Sequence, residues 1–530
     1  MKTHAQQREV SLCRLSIACA MALSFSATAT AKDPPPVFLP GYTPAQQESN
    51  FLAFPESSVI QSPTTAAAYY DAVDPAKSKR KFTQWLVNAG FISQESDWHP
   101  TGAQIIKTGQ PTGLGAYGPN IINTDSHFIG INNADLGFVR NQFIRCRPNC
   151  NAKNPIIYTY LENYAYPALT NAAELGFPTA AEATAAIQSA LSTRVGRVAD
   201  VAFEWAPPPG NPTSSTRYGQ LYAYIFHIDS GNNLTETINW PDQPFLDSKL
   251  NSRNGDQFPP IQFNPPPAQP YTVLAGQPFA PELDFLGVKQ HPGVCFMCHG
   301  GNPRNLTSSG QYPSQGRTSD FKFLPLDIGN LLFTSDSDLT DPTSRINQEG
   351  QIKRYNQMVL ITQGAAPVLP AILNGKWRIP TFVDNQGAFR TTHAVEAILG
   401  WYGGSVANPS MPNPTQFSDF VPVGWREAVN GGTAPVGSEA LYLKTVARSC
   451  RACHSQQQSD LDFGTVASFD SHKGDILEMV LQPECDAVNP PKGKVIMPAA
   501  ARTYNRFWLE NQDEPLKAHF GFTLTSYCGH

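Results

Sequence analysis

The chain has 530 residues, 41% hydrophobic and 15% charged, with 47 prolines, 39 glycines and a formal net charge of −5. That composition excludes a disordered polymer and a simple helical bundle, and a chain of this length is expected to divide its core among two or three domains. No concentrated basic surface is encoded, so no nucleic-acid partner is expected.

Lys2, Arg8 and Arg14 precede an apolar stretch over 15–25 and the small residues Ala29-Thr30-Ala31. This is the pattern of a cleaved secretory signal, which predicts a periplasmic or secreted protein whose mature chain starts at Lys32. Losing 1–31 removes three basic residues and one acidic residue and takes the formal charge from −5 to −7. The apolar stretch is too short to cross a bilayer and no later apolar run reaches about 18 residues, so no stable membrane span is expected. Cys19 leaves almost no apolar stretch before it, which argues against lipid attachment.

Proline tracts at 33–40 and 264–270 favour extended backbone without donors, and the second marks the preferred domain boundary. Between them, 32–264 reads as a mixed α/β domain. Thr179-Ala180-Ala181-Glu182 matches a capping box ahead of an alanine-rich run, which predicts a helix to Leu191. The tyrosine-rich segment 217–228, followed by the turn-forming Asp229-Ser230-Gly231-Asn232, predicts a strand entering a hairpin. Pro207-Pro208-Pro209-Gly210 reads as a loop. Two further segments follow, 271–430 and 433–530.

Each of these two segments carries one Cys-x-x-Cys-His pentad: Cys295-Phe296-Met297-Cys298-His299 and Cys450-Arg451-Ala452-Cys453-His454. In such a pentad the thiols add to the vinyl groups of haem as thioethers and the adjacent imidazole ligates iron, so two covalently attached haem c groups are expected, with His299 and His454 as proximal ligands. The competing reading is two disulfides or a zinc site from the same four cysteines, but chance rarely produces the full five-residue string, and here it occurs twice behind an export signal. Outside the pentads the mature chain has Cys146, Cys150, Cys485 and Cys528. An oxidising compartment favours disulfides, preferentially Cys146 with Cys150 and Cys485 with Cys528, although two other pairings satisfy the same count. No histidine stands at finger-like spacing around Cys146 and Cys150, which argues against zinc there.

Ser438 is expected to cap a helix running through Glu439, Leu441, Tyr442, Val446 and Ala447 into Cys450. Met497-Pro498, 43 residues after His454 and ahead of Tyr504, Phe507 and Trp508, resembles the loop that supplies the sixth iron ligand in class I cytochromes c, which implies Met497 at the second haem. For the first haem, His393, at the start of an expected helix leading to Gly400-Trp401-Tyr402-Gly403-Gly404, is the leading sixth ligand. Met358, His291 and His127 compete with it, and an open position is also permitted. Trp401 and Tyr402 fall between the pentads, where aromatic residues either pack or relay an electron. Arg304 and Arg317 are candidates for pairing with haem carboxylates or are simply solvated.

Two attachment pentads whose first cysteines are 155 residues apart resemble the bacterial dihaem cytochrome c peroxidases and their relatives, including MauG-like and rubber-oxygenase-like proteins. The resemblance covers at most about the last 260 residues and transfers Cys295, Cys298, His299, Cys450, Cys453 and His454. It implies one haem that receives electrons and one that reacts with peroxide or oxygen. Two departures stand against it: about 230 mature residues precede the first pentad segment, and the superfamily's catalytic glutamate and interhaem calcium site have no assigned counterpart. The Gly-Trp-Tyr-Gly-Gly string and the late Met-Pro followed by Phe-Trp resemble large exported proteobacterial cytochrome c proteins, which implies a haem protein. The expected fold class is α+β: a mixed N-terminal domain followed by two mainly α-helical cytochrome c-like haem domains. The expected function is electron transfer with a redox partner protein or a small-molecule electron acceptor. The alternative is a dihaem peroxidase or oxygenase with one electron-transfer haem and one reactive haem.

Overall fold

The computed structural model describes, with short gaps, residues 70–98, 105–108, 121–164, 180–238, 295–299, 321–383, 389–455, 461–481 and 503–522. The expected signal, both long proline tracts, His291, Arg304, Arg317, Cys485, Met497 and Cys528 lie outside the described residues.

A seven-stranded antiparallel sheet organises the molecule. Its strands are β1 (Ser126–Asn132), β2 (Val139–Arg147), β3 (Ile156–Tyr164), β4 (Arg197–Ala206), β5 (Gln220–His227), β6 (Thr237–Ile238) and β7 (Leu331–Leu332), in the spatial order β6-β5-β4-β3-β2-β1-β7. Six consecutive strands form a meander, and β7 arrives about 90 residues later to pair Ile131 with Leu332 and Asn132 with Leu331. Strands β3 to β5 are rich in β-branched and aromatic residues, which suit a pleated surface buried on both faces.

Side chains alternate across the sheet, so each strand serves two surroundings. On one face Phe143, Tyr158, Tyr160 and Phe226 meet helix α1 (Phe82–Ala89): Phe82 lies 5.3 Å from Tyr160, Trp85 6.0 Å from Tyr158, and Phe143 stacks on Tyr160 at 4.5 Å between centroids. Helix α2 (Ala180–Ser192) covers Ile129, Ile131 and Val139 beside them. The other face carries Arg140, Gln142, Thr159, Leu161, Val201, Phe203 and Ile225, and it forms one wall of a cavity.

The outer edge of β1 beyond β7 is covered by helix α3 (Arg345–Thr362). Gln348 Oε1 accepts from Ile129 N at 2.6 Å, Gln351 Oε1 from His127 N at 3.4 Å, and the Gln351 carbonyl from Ser126 Oγ at 3.0 Å. Side-chain amides thus take the place of a missing strand, the protection an exposed edge requires. Cys146 and Cys150 form a buried disulfide.

The expectation of two mainly α-helical cytochrome c-like haem domains is overturned. Residues 321–411 share one hydrophobic core with the sheet, and β7 within that segment is a strand of it. A second core, with Trp425, Tyr442, Phe463, Phe469 and Trp508, gathers residues 421–516. The helix signals near the pentads are local, whereas strand pairing across 200 residues leaves no local trace, so a reading by periodicity assigned each pentad a helical unit of its own.

Candidate functional site

Residues of both pentads border one partly open cavity of about 190 Å³. Cys295, Cys298 and His299 stand on it from the first pentad, and Arg451, Ala452 and Cys453 from the second. The sheet supplies one wall, and the irregular segment 323–331 and Trp401 supply the other.

His299 lies over the sheet. Its ring is 4.8 Å from that of Phe203 on β4 and 5.6 Å, edge to face, from that of Phe321. Its Nδ1 is 2.9 Å from the carbonyl of Lys322, so Nδ1 carries the proton and donates. The second pentad repeats the arrangement with different parts: His454 stacks on Phe463 at 4.3 Å, and its Nδ1 donates to the Leu461 carbonyl at 2.8 Å. A backbone acceptor on Nδ1 fixes the tautomer that leaves the lone pair on Nε2, which is how metal-ligating imidazoles are held. Burial lowers the His454 pKa to about 4, against the pull of the Leu461 carbonyl, so the ring is neutral at physiological pH.

The helix entering the second pentad begins at Ser438, but Gly437, in a left-handed conformation at φ 93, occupies the N-cap position, and Ser438 makes no cap. From Tyr442 to Cys450 the helix is of π type before an α-helical turn, Arg451–His454, carries the pentad. Such widened turns concentrate at functional sites.

The segment 321–331 has little regular structure and is held by side chains. Asn356 on α3 bonds both the amide and the carbonyl of Leu326, Gln416 accepts from Ile328 N and donates to the Leu326 carbonyl, and Tyr355 donates to the Leu324 carbonyl. This segment joins the two pentads. Lys322 holds His299. Asp327 forms a buried ion pair with Arg451 of the second pentad, and Asn330 Oδ1 accepts from Arg506 Nη1 at 2.9 Å. Arg451 also donates to Tyr442 Oη at 2.7 Å and lies 5.0 Å over the Trp401 ring. Burial opposes its charge, but Asp327 and Tyr442 hold the guanidinium above even its ordinary high pKa.

The remaining sequence candidates fall elsewhere. His393 heads helix α4 (His393–Trp401) as expected, yet both ring nitrogens are engaged, Nδ1 with the Asp462 carbonyl at 2.6 Å and Nε2 with Tyr442 Oη at 3.2 Å. It therefore sits beside the second pentad and does not line the cavity of the first. Met358 is buried with Sδ 3.6 Å from Cys146 Sγ, and His127 stacks on Phe143 on the opposite face of the sheet. Of the aromatic pair, Trp401 lines the cavity while Tyr402 packs in the core, its hydroxyl bonded to Gln416 and Asn356. The glycines of that string are structural: a Cβ on Gly400 would lie 2.1 Å from the Phe420 ring, and one on Gly404 2.0 Å from the Ser410 carbonyl oxygen. Arg140, Asp327, Asn330 and Phe203 belong to the cavity without having been singled out in the sequence, because nothing local marks a strand or loop residue as facing a distant pentad.

None of Cys295, Cys298, Cys450 and Cys453 is in a disulfide. Among the described residues no three ligand atoms of the pentads converge as a zinc site requires; the one such cluster, Asp125 with Cys146 and Cys150, contains the disulfide. Burial, reinforced by Cys298, pushes the Cys295 thiol up to about 12, and burial alone does the same to Cys450. Thiols so placed resist becoming thiolate ligands, whereas a thioether is uncharged and tolerates the apolar surroundings. On the shared wall, Trp401 Nε1 and Arg451 Nε are buried donors without a hydrogen-bond partner among the described residues. The residues present fit a large, mostly apolar group with acceptor atoms at its rim, as haem is.

The chain matches no protein-family model, no curated protein and no solved structure. Among the described residues no helix is long and apolar enough to cross a membrane.

Proposed function

We propose that this is an exported dihaem c-type protein that carries electrons. The observation that carries the reading is that both pentad imidazoles are anchored through Nδ1 on backbone carbonyls, while residues of both pentads border one cavity. Haem bound at each pentad would supply reversible one-electron chemistry at iron. Cys295 with Cys298 and Cys450 with Cys453 would hold the two groups, and His299 and His454 would ligate them. The chain's own contribution is positional: Lys322 and Leu461 orient the imidazoles, Phe203 and Phe463 pack against them, and the Asp327–Arg451 pair fixes one pentad relative to the other. A redox partner protein or a small-molecule acceptor would take the electron.

A second reading, a peroxidase or oxygenase with one reactive haem, draws support from the sixth-ligand candidates. Of the candidates among the described residues, His393, Met358 and His127 do not border the cavity, which supports an open position at the first haem. Both readings are tested by mass spectrometry and visible spectra of the mature chain made in a host that matures c-type cytochromes. Two tetrapyrrole adducts are expected, one on each pentad, and their absence from both refutes the proposal. Two low-spin centres indifferent to carbon monoxide and cyanide select electron transfer; a high-spin centre that binds them selects the second reading. Replacing Met497 with Ala should shift the potential of one centre if it ligates the second haem.

A further inference from the structure

Outside the pentads, one cluster among the described residues brings metal-ligand atoms together. Cys146 near the end of β2, Cys150 across a turn, and Asp125 just ahead of β1 each place one such atom within 4.8 Å of the others. Asp125 Oδ2 accepts from Cys146 N at 2.8 Å and its own amide donates to the Ile144 carbonyl at 2.7 Å, so the carboxylate is fixed against the strand that carries the cysteine. Met358 Sδ on α3 lies 3.6 Å from Cys146 Sγ, which puts a third sulfur at the border of the cluster. Both cysteines are 3% exposed, yet residues 147–149 between them are exposed, so the S–S bond lies under a surface turn. The charges here are unbalanced. The Asp125 carboxylate acts on Arg145 and on Arg354, Arg147 acts on Arg145, and Arg145 Nε and Arg354 Nε are buried without a hydrogen-bond partner. One carboxylate against three guanidiniums sums to +2, which repels a cation while the disulfide is closed. Two thiolates in its place would bring that sum to zero, and the guanidiniums would offset the cost of burying them.

We propose that Cys146, Cys150 and Asp125 form a redox-gated site for a soft divalent cation of the zinc and cadmium class. A dithiol gives two electrons and two protons to the Cys146–Cys150 bond: that bond breaks, two S–H bonds form, and the dithiol closes to its own disulfide. The cation then displaces both protons as it bonds the two sulfurs and a carboxylate oxygen. Donors around a tetrahedral ion of this class stand about 3.5–4 Å apart, a spacing the released sulfurs reach by turning about their own side-chain bonds within the cluster. Sulfur donors select a soft ion over calcium or magnesium. No histidine takes part; the third ligand comes from 21 residues upstream, which finger-like spacing around the cysteines does not reveal.

The test compares the mature protein with Asp125→Asn and with the double variant Cys146→Ser/Cys150→Ser, each reduced with dithiothreitol, freed of it without oxygen, checked by circular dichroism and titrated with cadmium ion. The reduced parent should bind one cadmium more than the double variant, with added ultraviolet thiolate-to-cadmium absorption, and the unreduced parent should bind no more than the double variant. Asp125→Asn should keep the added absorption but hold that ion at least about tenfold more weakly. Equal cadmium uptake by the reduced parent and the double variant, or equal affinity in the parent and Asp125→Asn, would overturn the proposal. So would a reduced parent chain that loses its fold and does not regain it with cadmium. The pentad thiols are the same in all three proteins and cancel in the comparison, so this site and the dihaem reading fail separately.

Discussion

The Asp327–Arg451 pair offers the sharpest quantitative test, because it is the charged link between the two pentads. Arg451 is 3% exposed, and Asp327 →Asn leaves its guanidinium buried without a counter-charge. Removing one partner of a buried pair costs about 3–5 kcal/mol. Deprotonation offers no escape, since arginine stays charged at any accessible pH. Two features soften the loss: the Tyr442 hydroxyl and the Trp401 face still contact the guanidinium, and the Asp327 side chain is 11% exposed, so water reaches its position. The expected cost is about 3 kcal/mol, at the low end of that range. Arg451→Met removes the charge and the Tyr442 bond but leaves a carboxylate that water partly solvates, and should cost about 2 kcal/mol. The double variant leaves no buried charge and should cost about 2 kcal/mol less than the sum of the singles. Denaturation of the four mature proteins in urea at neutral pH gives the cycle. Additivity within about 0.5 kcal/mol would refute the claim that these residues act as one unit.

Three further outcomes follow from individual contacts. Burial lowers the His127 pKa to about 4, with Asn141 and Glu162 opposing, so the unfolded chain binds a proton there between about pH 6.5 and 4 that the folded chain does not. This contribution is complete above pH 6.5 and falls by up to about 3 kcal/mol as the pH drops towards 4; His127→Gln should flatten the stability–pH curve in that window, and parallel curves would contradict it. Gly404→Ala places a Cβ 2.0 Å from the Ser410 carbonyl oxygen and should lower stability by at least about 2 kcal/mol, whereas Gly474→Ala, with nothing within 4 Å, should be near neutral in the same denaturation assay. Phe203→Ala removes the ring under His299 and should cost about 3–5 kcal/mol while perturbing the spectrum of the first centre alone, so a change confined to the second would contradict the placement.

Local signals were legible in the sequence where they decide local structure. The alanine-rich run after Thr179 is helix α2, the tyrosine-rich segment is β5, the helix expected from His393 is α4, and Cys146 pairs with Cys150 as preferred. Strand β2 was not legible, because both faces are buried: Arg140 and Gln142 face the cavity while Asn141 and Phe143 face the opposite core, so no apolar alternation marks it. His393, the leading candidate for the first haem, lies away from that pentad for a related reason. Sequence order places it between the pentads, but Asp462 and Tyr442 hold it against the second. The pentads stand out as five-residue strings that chance rarely produces, while the groups around them come from residues as far apart as Arg140 and Arg506.

That separation bears on how such a centre is tuned. On the dihaem proposal a pentad would specify where a haem attaches, and the potential and access of the iron would depend on burial and neighbouring hydrogen bonds. At the first pentad those neighbours are Phe203 from the sheet and Lys322 from the connecting segment; at the second they are Phe463 and Leu461, with Arg451 drawn to Asp327. Segment 321–331 contributes to both, so a displacement there would move the Lys322 carbonyl and the Asp327 carboxylate together. Two centres so placed would be coupled through the backbone of one short segment, and substitutions that loosen its anchors, Asn356 and Gln416, would alter both sets of surroundings without touching either pentad.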